Sequence, residues 1–409
     1  MAAAVDGAAR AVPAGRLYAV LGGLYLAQGV PTYLLLVALP PLMREGGASR
    51  TAIGLFSLLM IPLILKFAWA PLVDRFSPLA ALGHRRGWVV PTQILVSAGI
   101  AAMAFVQPTD VGAIFAIATA ITLLSSTQDI ATDGYAARML TAATRPLGNA
   151  IQAGAVALGV ILGGTLALVL FGYLGWRTTL LTVAALSLLP LLVTPWMQDD
   201  ETDAPPERRR PSLLVFFRRP DALVLLGFAL TYRASEGLVR GMEGAYLVDA
   251  GLPVAWIGYL SGAAAATSGL VGALTAALAI RRFGLTPTLI GLGALRTLCF
   301  LAFSLNAVSL WPGMEVAMAA SAFQTFLRYM ELVALYSLFM GLASRDQPGT
   351  DFTLLTCAEL VVYMAGSALA GFVADRFGYA NLFAAATVLS GLGIAVAWML
   401  LMKLHRPNA

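Results

Sequence analysis

The sequence is poor in charged residues. Asp, Glu, Lys and Arg together make up 11% of its 409 residues, and hydrophobic residues make up 59%. Water-soluble domains carry roughly 25% charged residues, and the apolar runs here reach about 20 residues, the length that crosses a bilayer as a helix. The runs are continuous rather than alternating, unlike the strands of an outer-membrane barrel. The composition therefore excludes a soluble protein and predicts a polytopic helical membrane protein.

Cysteine and histidine are also scarce. Cys299 and Cys357 each lie within an apolar run, so the sequence predicts neither a disulfide framework nor a thiolate metal site, and we interpret both as packing residues. His84 and His405 fall in predicted loops, which leaves a Ser-His-Asp triad or a histidine metal site in the membrane without its central part. Neither lysine follows the glycine pattern of a phosphate-binding loop. We expect no enzyme activity, no ATP hydrolysis, no metal and no cofactor.

The apolar runs predict twelve membrane-spanning helices. Their boundaries are 17–43, 51–73, 88–106, 111–137, 147–172, 176–197, 221–247, 255–280, 284–305, 312–342, 350–374 and 379–404. The one long hydrophilic connector is 198–220, in which acidic residues precede five arginines and four prolines are interspersed. This composition is typical of a solvated linker. It divides the chain into six helices plus six.

Arginine and lysine are unevenly distributed between the two sides of the predicted membrane. Of the 26, 17 lie on the side shared by both termini and the linker, four lie on the opposite side, and five lie inside predicted helices. The positive-inside rule makes the termini and linker cytoplasmic, so the net charge of +5 reflects orientation rather than a nucleic-acid partner. The predicted regions are a cytoplasmic tail (1–16), an N-terminal six-helix bundle (17–197), a cytoplasmic linker (198–220), a C-terminal six-helix bundle (221–404) and a second tail (405–409).

The two halves of the chain share a layout. Residues 148–180 and 349–383 each begin at a glycine after a cytoplasmic turn, cross the membrane with many small residues, and end in a Gly-aromatic turn. A repeat at roughly 200 residues predicts an all-α membrane protein of two six-helix bundles related by pseudo-symmetry. In that arrangement the substrate lies between the bundles near the bilayer midplane.

Four charged residues fall inside the seventh predicted helix. Arg233, Glu236, Arg240 and Glu243 follow one another at spacings of three, four and three, so a continuous helix places them on one stripe about 80° wide. Charges at membrane depth must pair with one another or line an aqueous cavity. Two interpretations stay open: the stripe neutralises itself, or an arginine receives a substrate carboxylate or phenolate while a released acid takes a proton.

The loop after the second helix carries a recognisable pattern. It reads WAPLVDRF at 69–76 and GHRRGW at 83–88, which resembles the loop signature of the major facilitator superfamily. With twelve helices in two halves, the resemblance covers the whole chain. It implies the major facilitator fold, a cavity lined by helices one, four, seven and ten, and a cytoplasmic gate. The residues predicted for this gate are Asp74, Arg75, Arg85, Arg86, Asp133 and Arg138.

Longer runs resemble a narrower group within that superfamily. The runs at 28–54, 65–76, 126–140 and 147–164 are similar to AmpG-type and acetyl-CoA-type permeases and to siderophore permeases of the RhtX/FptX type. Compact length favours the siderophore group, because AmpG-type permeases often carry extra helices. Three shorter runs support the same resemblance: HRRGWVVPTQ at 84–93, GNAIQ at 148–152 and GTDFTL at 349–354.

The C-terminal half supplies most of the predicted site. The tenth helix carries Arg328 and Glu331 among aromatic residues that either stack on substrate rings or pack the bundle. Glu359 has no charged neighbour in sequence, so it is either a proton carrier or a salt-bridge partner of Arg296 or Arg328. The predicted substrate-binding residues here are Arg233, Arg240, Glu236, Tyr232, Arg328, Gln324 and Tyr329, and the predicted proton-coupling residues are Glu359, Glu243 and Glu331.

The N-terminal half contributes fewer polar residues. Asp129 and Asp133 are one helical turn apart on helix four, and Lys66 on helix two lies at a similar depth. We therefore predict an ion pair between Lys66 and Asp129, and Asp129 is also a proton-coupling candidate. The predicted substrate-binding residues of this half are Gln28 and Tyr33, which flank a kink expected at Pro31, with Gln128 and Asp129.

These patterns together predict a secondary transporter. The resemblance implies a monomeric protein of the bacterial inner membrane that imports a siderophore, ferric or free, by alternating access with proton coupling. An AmpG-like permease for muropeptides or another anionic conjugate is the alternative within the same fold. A membrane enzyme and a sensor that does not transport are alternatives of other classes.

Overall fold

A computed structural model describes residues 13–45, 58–198, 211–252 and 263–404, and no strand occurs in these ranges. The helices are α1 (Ala14–Tyr33), α2 (Leu39–Glu45), α3 (Met60–Leu65), α4 (Ala70–Arg75), α5 (Arg86–Met103), α6 (Val111–Met139), α7 (Arg145–Gly159), α8 (Leu166–Leu188), α9 (Leu213–Phe217), α10 (Ala222–Thr231), α11 (Glu236–Asp249), α12 (Ala263–Phe283), α13 (Leu285–Ala307), α14 (Met314–Leu342) and α15 (Pro348–Leu404).

Each predicted membrane helix has a counterpart in these elements. Seven helical segments of the described residues are long and apolar enough to cross a membrane, and the two longest of them, 145–196 and 348–404, each contain a turn. The starts of predicted helices two and eight, most of the linker and both tails, with His405, lie outside the described residues. The twelve-helix prediction is confirmed for the remainder.

Two glycine turns occupy equivalent places in the two halves. Gly175 has a φ of 71° and Gly378 a φ of 80°, a backbone region that residues with a Cβ rarely adopt. Each lies at the Gly-aromatic pattern that ends the predicted fifth or eleventh helix. The packing is equivalent as well, since α1 packs on α7 in the first half and α11 packs on α15 in the second. The repeat expected from sequence is therefore present in the architecture.

The first and fifth membrane helices cross in close backbone contact. A Cβ built on Gly159 lies 2.6 Å from the Cα of Gly29, so the crossing requires glycine. Beyond the crossing, α1 continues past Pro31 as a π-helical segment, Leu34–Ala38, and α7 continues as another, Val160–Thr165. The sequence predicted a kink near Pro31. The structure has a widened, π-helical turn there instead of a sharp bend.

The seventh membrane helix is interrupted where the sequence predicted continuity. α10 ends at Thr231 and α11 begins at Glu236. Between them the amide of Glu236 donates to the carbonyl of Arg233, at 3.0 Å, instead of to that of Tyr232. The freed Tyr232 carbonyl accepts a hydrogen bond from Nη2 of Arg296 at 2.6 Å. The single straight stripe expected of the four charged residues is therefore wrong, because the helix tightens inside it.

The two halves contact each other at the end that the sequence predicts to be cytoplasmic. The α6–α15 and α7–α14 pairs pack across the boundary between the halves. Asn149 on α7 donates to the hydroxyl of Ser337 on α14 at 3.0 Å. A Cβ on Gly349 would come within 3.0 Å of the carbonyl of Ile130 and also meet the carboxylate of Asp74. This closely packed end forms the floor of a cavity between the halves.

Candidate functional site

A cavity of about 300 Å³ lies between the halves. Its described walls come from α1, the turn around Lys66, α6 and α7 on one side and from α14 and α15 on the other. The polar residues that line it are Tyr25, Gln28, Thr32, Tyr33, Lys66, Thr122, Ser125, Ser126, Asp129, Asp133, Asn149, Gln152, Tyr329, Tyr336, Thr356, Cys357 and Glu359. Leucines, valines and Phe352 complete the lining. Amides, hydroxyls, charges and tyrosine rings therefore meet in one enclosed space.

Several buried polar atoms of this lining have no hydrogen-bond partner in the described structure. They are Nε2 of Gln28, Oγ of Ser125, Oγ of Ser126, Oδ1 of Asn149 and Oε1 of Gln152. A buried polar atom without a partner is destabilising unless a ligand or water completes it. All five belong to residues of the N-terminal half that line the cavity, although the atoms themselves are buried.

The predicted Lys66–Asp129 ion pair is confirmed. Lys66 begins a short 3₁₀ turn, Lys66–Ala68, between α3 and α4, and its ammonium contacts Oδ2 of Asp129 on α6. The Lys66 side chain is 9% exposed and that of Asp129 is 23% exposed. Trp69, which follows the turn, donates from its indole to the hydroxyl of Thr127 at 3.1 Å. Two contacts thus hold the turn against α6.

Asp133 lies in the cavity and not in the gate to which the sequence assigned it. Its Oδ1 accepts a hydrogen bond from the hydroxyl of Tyr25 on α1 at 3.0 Å, and both residues line the cavity. The prediction placed Asp133 among the loop arginines because it is close in sequence to Arg138. The error arises from helix rotation, since Asp133 is one turn from Asp129 and shares its face.

Six charged residues inside the membrane helices of the C-terminal half, three arginines and three glutamates, form a network that we call the six-charge network. Its members are Arg233, Glu236, Arg296, Arg328, Glu331 and Glu359. Arg233 contacts Glu236, and its Nη1 lies 2.7 Å from Oε1 of Glu359. The Nη1 of Arg296 lies 2.8 Å from Oε1 of Glu331, and Nε of Arg328 lies 3.4 Å from Oε1 of Glu236. The formal charges sum to zero, so the network neutralises itself.

This network holds three of the predicted substrate-binding residues, Arg233, Glu236 and Arg328, outside the described lining of the cavity. Of its members, only Glu359 is among the described residues that line the cavity. Arg233 is 3% exposed and engaged by two carboxylates. Glu359 is also not the isolated carboxylate that the sequence suggested, because Arg233 rather than Arg296 or Arg328 is its partner. Helical pattern alone cannot reveal a contact between residues 126 positions apart.

The remaining predicted residues of helices seven and ten fall into two groups. Tyr329 lines the cavity as expected. Tyr232 donates to the carbonyl of Leu289 at 2.7 Å and packs inside the bundle, while Arg240 pairs with Glu243 at 2.9 Å, 28% exposed. Tyr232 and Arg240, with Arg233, Glu236, Arg328, Gln324, Glu243 and Glu331, do not occur among the described lining residues.

In the N-terminal half, most of the predicted substrate-binding residues line the cavity. Gln28, Tyr33 and Asp129 line the cavity, whereas Gln128 is fully buried in α6 outside the lining. Sequence reasoning did not assign a substrate-binding role to Lys66, Asn149 or Gln152. The sequence does contain an indication for Asn149 and Gln152. Both belong to the GNAIQ run at 148–152, which supports the family resemblance but is not assigned to substrate binding.

Asp74 connects the two halves at the floor of the cavity. Its Oδ1 accepts from Nη2 of Arg85 at 2.5 Å, and its Oδ2 accepts from both the amide and the hydroxyl of Thr350, at the start of α15, at 2.6 Å each. Asp74 is 1% exposed. Gly134 makes room for the Arg85 guanidinium, which would lie 2.7 Å from a Cβ there. The Asp74 carboxylate therefore joins the end of α4 and the loop that follows it to the second half.

The other predicted gate residues contact different groups. Arg75 is exposed and stacks on the ring of Phe76, with 4.7 Å between the guanidinium carbon and the ring centroid. Arg86 donates to the carbonyl of Met197. Of the predicted gate residues, Asp74 and Arg85 therefore contact each other. Arg75 and Arg86 each contact other groups, the Phe76 ring and the Met197 carbonyl.

Two helical halves around a cavity lined by both polar and apolar residues, joined at one end, have the architecture of a secondary transporter. Residues 21–350 match the Major Facilitator Superfamily. The chain belongs to this superfamily, and it is a multi-pass membrane transporter rather than an enzyme. The resemblance inferred from the 69–88 loop is thereby confirmed at the level of the superfamily.

Relatives extend over nearly the whole chain. The chain is 28% identical over 407 residues to the anhydromuropeptide permease of Escherichia coli K12, covering 97% of this chain and 82% of the relative. It is 25% identical to an uncharacterized protein of Haemophilus influenzae, covering 87% of each. A crystal structure of a bacterial homologue of the iron transporter ferroportin superposes with a TM-score of 0.72 at 14% identity, covering 96% of this chain and 99% of that one. The last similarity concerns the fold alone.

Proposed function

We propose that the protein imports an anhydromuropeptide, or a related anionic conjugate, through the bacterial inner membrane by alternating access. The observation that carries this proposal is the similarity to the anhydromuropeptide permease, which extends over 97% of the chain. It includes both halves and therefore every described wall of the cavity. The siderophore that the sequence favoured has no comparable support, and the relatives favour the alternative.

The chemistry of the cavity supports the same substrate class. A muropeptide carries sugar hydroxyls, acetamido groups, peptide bonds and carboxylates. Gln28, Ser125 and Gln152 line the cavity, and each has a buried amide or hydroxyl atom without a partner in the described structure, which a ligand that displaces the side chain can complete. Tyr329 and Tyr336 provide flat faces on the opposite wall. The arginines on which the siderophore argument depended lie outside the described lining.

The contact between Asp74 and Thr350 supports a role as the cytoplasmic gate. It joins the halves on the side of the loops that the positive-inside rule makes cytoplasmic. Opening the cavity toward the cytoplasm requires separating α4 and the 73–86 loop from the start of α15. The two charge-assisted hydrogen bonds at Asp74 must then break, so this carboxylate favours the state closed on the cytoplasmic side.

Proton coupling fits the carboxylates of the cavity better than those of the bundle interior. Asp129, Asp133 and Glu359 line the cavity, where water and substrate can exchange protons with them. Glu243 and Glu331, which the sequence also favoured, face arginines or hydroxyls outside the described lining. We therefore assign proton coupling to Asp129 and Glu359 and withdraw it from the other two.

Uptake by purified protein in proteoliposomes tests the proposal. The vesicles carry an inward proton gradient and are offered labelled N-acetylglucosaminyl-anhydromuramyl-tripeptide or labelled ferric pyochelin. We expect accumulation of the muropeptide, abolished by a protonophore, and none of the siderophore. Accumulation of ferric pyochelin without the muropeptide would restore the siderophore interpretation. Uptake of neither would reject both substrate classes.

A further inference from the structure

We propose that Lys66 binds a carboxylate of the transported conjugate, and that Asp129 holds the Lys66 ammonium in place until the substrate arrives. This proposal rests on the proposed function, because it names the group that recognises an anionic conjugate. It differs from the sequence-based assignment, which gave that task to Arg233 and Arg240. The argument follows from the charges that reach the cavity.

Lys66 is the one cation among the described residues that line the cavity. The other charged lining residues, Asp129, Asp133 and Glu359, are acids. An anion that enters this space is repelled by carboxylates unless it reaches the ammonium, since charges close together in a poorly solvated site interact strongly. Among the arginines of the six-charge network, Arg233 and Arg296 are almost fully buried and already paired. Arg328 is 32% exposed but is not among the described lining residues.

The Lys66 ammonium keeps donors for a ligand. It carries three N–H groups, and Asp129 is the acceptor that the described residues supply. Two donors therefore have no partner among the described residues and lie beside the space that a substrate would occupy. The Asp129 side chain, at 23% exposed, is more open than that of Lys66 at 9%. A ligand can thus approach the ion pair from the cavity and accept hydrogen bonds from the Lys66 ammonium.

The local backbone prepares Lys66 for this contact. The chain leaves α3, makes the 3₁₀ turn at Lys66–Ala68 and enters α4, so the lysine lies at a break between two helices. The indole of Trp69 fixes the turn to Thr127, two residues before Asp129 on α6. A positioned lysine binds more tightly than a free one because less side-chain freedom is lost when the ligand arrives.

The opposite wall provides a native reporter beside the proposed site. Cys357 on α15 lines the same cavity, and its Sγ lies 3.6 Å from the carbonyl of Leu63, one turn before Lys66. Both cysteines are buried, and Cys299 on α13, unlike Cys357, is not among the described lining residues. In a Cys299→Ser background, alkylation of Cys357 therefore measures whether the region around Lys66 is occupied.

The first experiment compares an acidic substrate with its amidated form. Labelled anhydromuropeptide and the same compound with its carboxylates converted to amides are offered to proteoliposomes that contain the unaltered protein or Lys66→Gln/Asp129→Asn. The double variant removes both charges and leaves no unpaired ion, and Arg281→Gln, at an exposed cation, is the control. For the unaltered protein and the control we expect amidation to raise KM by about tenfold or more. In the double variant the two compounds should have equal KM.

A double variant that still prefers the acidic compound to the same degree overturns the proposal for Lys66 and leaves the proposed function intact. Absence of muropeptide uptake by the unaltered protein is the separate result that rejects the function itself. Where the double variant does not fold, or takes up neither compound because Asp129 is also a proton-coupling residue, the Cys299→Ser protein decides. Acidic muropeptide should slow alkylation of Cys357 by N-ethylmaleimide at concentrations where the amidated compound does not. Equal protection by the two compounds overturns the proposal.

Discussion

Arg233 and Glu359 form an ion pair of 2.7 Å between the seventh and eleventh membrane helices, although 126 positions separate them in sequence. Glu359 is also the member of the six-charge network that reaches the cavity. The pair therefore connects a self-neutralised interior with the space in which we expect the substrate to bind. Different results follow for the two partners.

Replacing Arg233 should destabilise the fold rather than only impair binding. Arg233→Ala leaves Glu236 and Glu359 buried with fewer cations, and loss of one partner from a buried ion pair costs about 3–5 kcal/mol. We expect a lower thermal unfolding midpoint in detergent and a lower yield of inserted protein. Arg240→Ala is the matched control, because the Arg240 side chain is 28% exposed and its buried partner Glu243 still accepts a hydrogen bond from the hydroxyl of Ser321, so its loss should cost less. Equal unfolding midpoints for the two variants would contradict a structural role of Arg233.

Replacing Glu359 should separate transport from accumulation. Glu359→Gln removes the carboxylate, while Arg233 keeps Glu236, so the protein should insert and unfold near the normal temperature. We expect proton-driven accumulation to be lost and substrate exchange across the membrane to continue. Both are measured with labelled muropeptide in proteoliposomes, with and without a proton gradient. Glu315→Gln, at an exposed position of α14, is the control. Normal accumulation by Glu359→Gln would show that the carboxylate has no part in coupling.

Neutralising Asp74 should loosen the cytoplasmic end. Asp74→Asn weakens the contacts with Arg85 and Thr350, which join the two halves. In a chain with both native cysteines replaced by serine, a cysteine at Ser337 should react with an impermeant maleimide about tenfold faster in inside-out vesicles. Asp110→Asn, at the exposed N-cap of α6, serves as the control. An unchanged labelling rate would mean that Asp74 does not hold the halves together.

The crossing of the first and fifth membrane helices should be intolerant of a methyl group. Gly159→Ala places a Cβ 2.6 Å from the Cα of Gly29, and the helices must separate to accept it. We expect a loss of about 1–3 kcal/mol in the free energy of unfolding. Gly172→Ala, where no atom lies within 4 Å of the new Cβ, should have almost no effect on stability. Thermal unfolding of both variants makes the comparison, and equal stability would mean that the crossing adjusts freely.

The membrane helices and the repeat were predictable from sequence because they depend on local properties. Long apolar runs fix the spans. Gly175 and Gly378 mark the turns because a positive φ favours glycine wherever it occurs. The ion pair of Lys66 with Asp129 was also predictable, since both lie at similar depth on helices that neighbour each other in this fold. Charge, depth and helix order were enough for that contact.

The lining of the cavity was harder to predict because it depends on helix rotation and helix breaks. The tightened turn at Tyr232–Ser235 changes the direction in which Arg233 points relative to Arg240, and no strong breaker residue announces it. Whether an arginine faces substrate or a glutamate depends on partners such as Glu359, Arg296 and Glu331, which lie on other helices. The sequence does not show these partners, so it favours substrate binding by the charged stripe. In the structure, most of the charge of the stripe is neutralised within the bundle.

The zero net charge of the six-charge network has an electrical consequence. Moving one elementary charge through the full membrane potential changes the free energy by about 2.3 kcal/mol per 100 mV. A neutral group of charges that moves as one body does almost no net work against that potential. While Glu359 is ionised, the network can therefore move with the C-terminal half without responding to voltage. Voltage dependence of transport should then arise from the substrate, from a proton taken up at Glu359, and from Lys66, Asp129 and Asp133 in the other half.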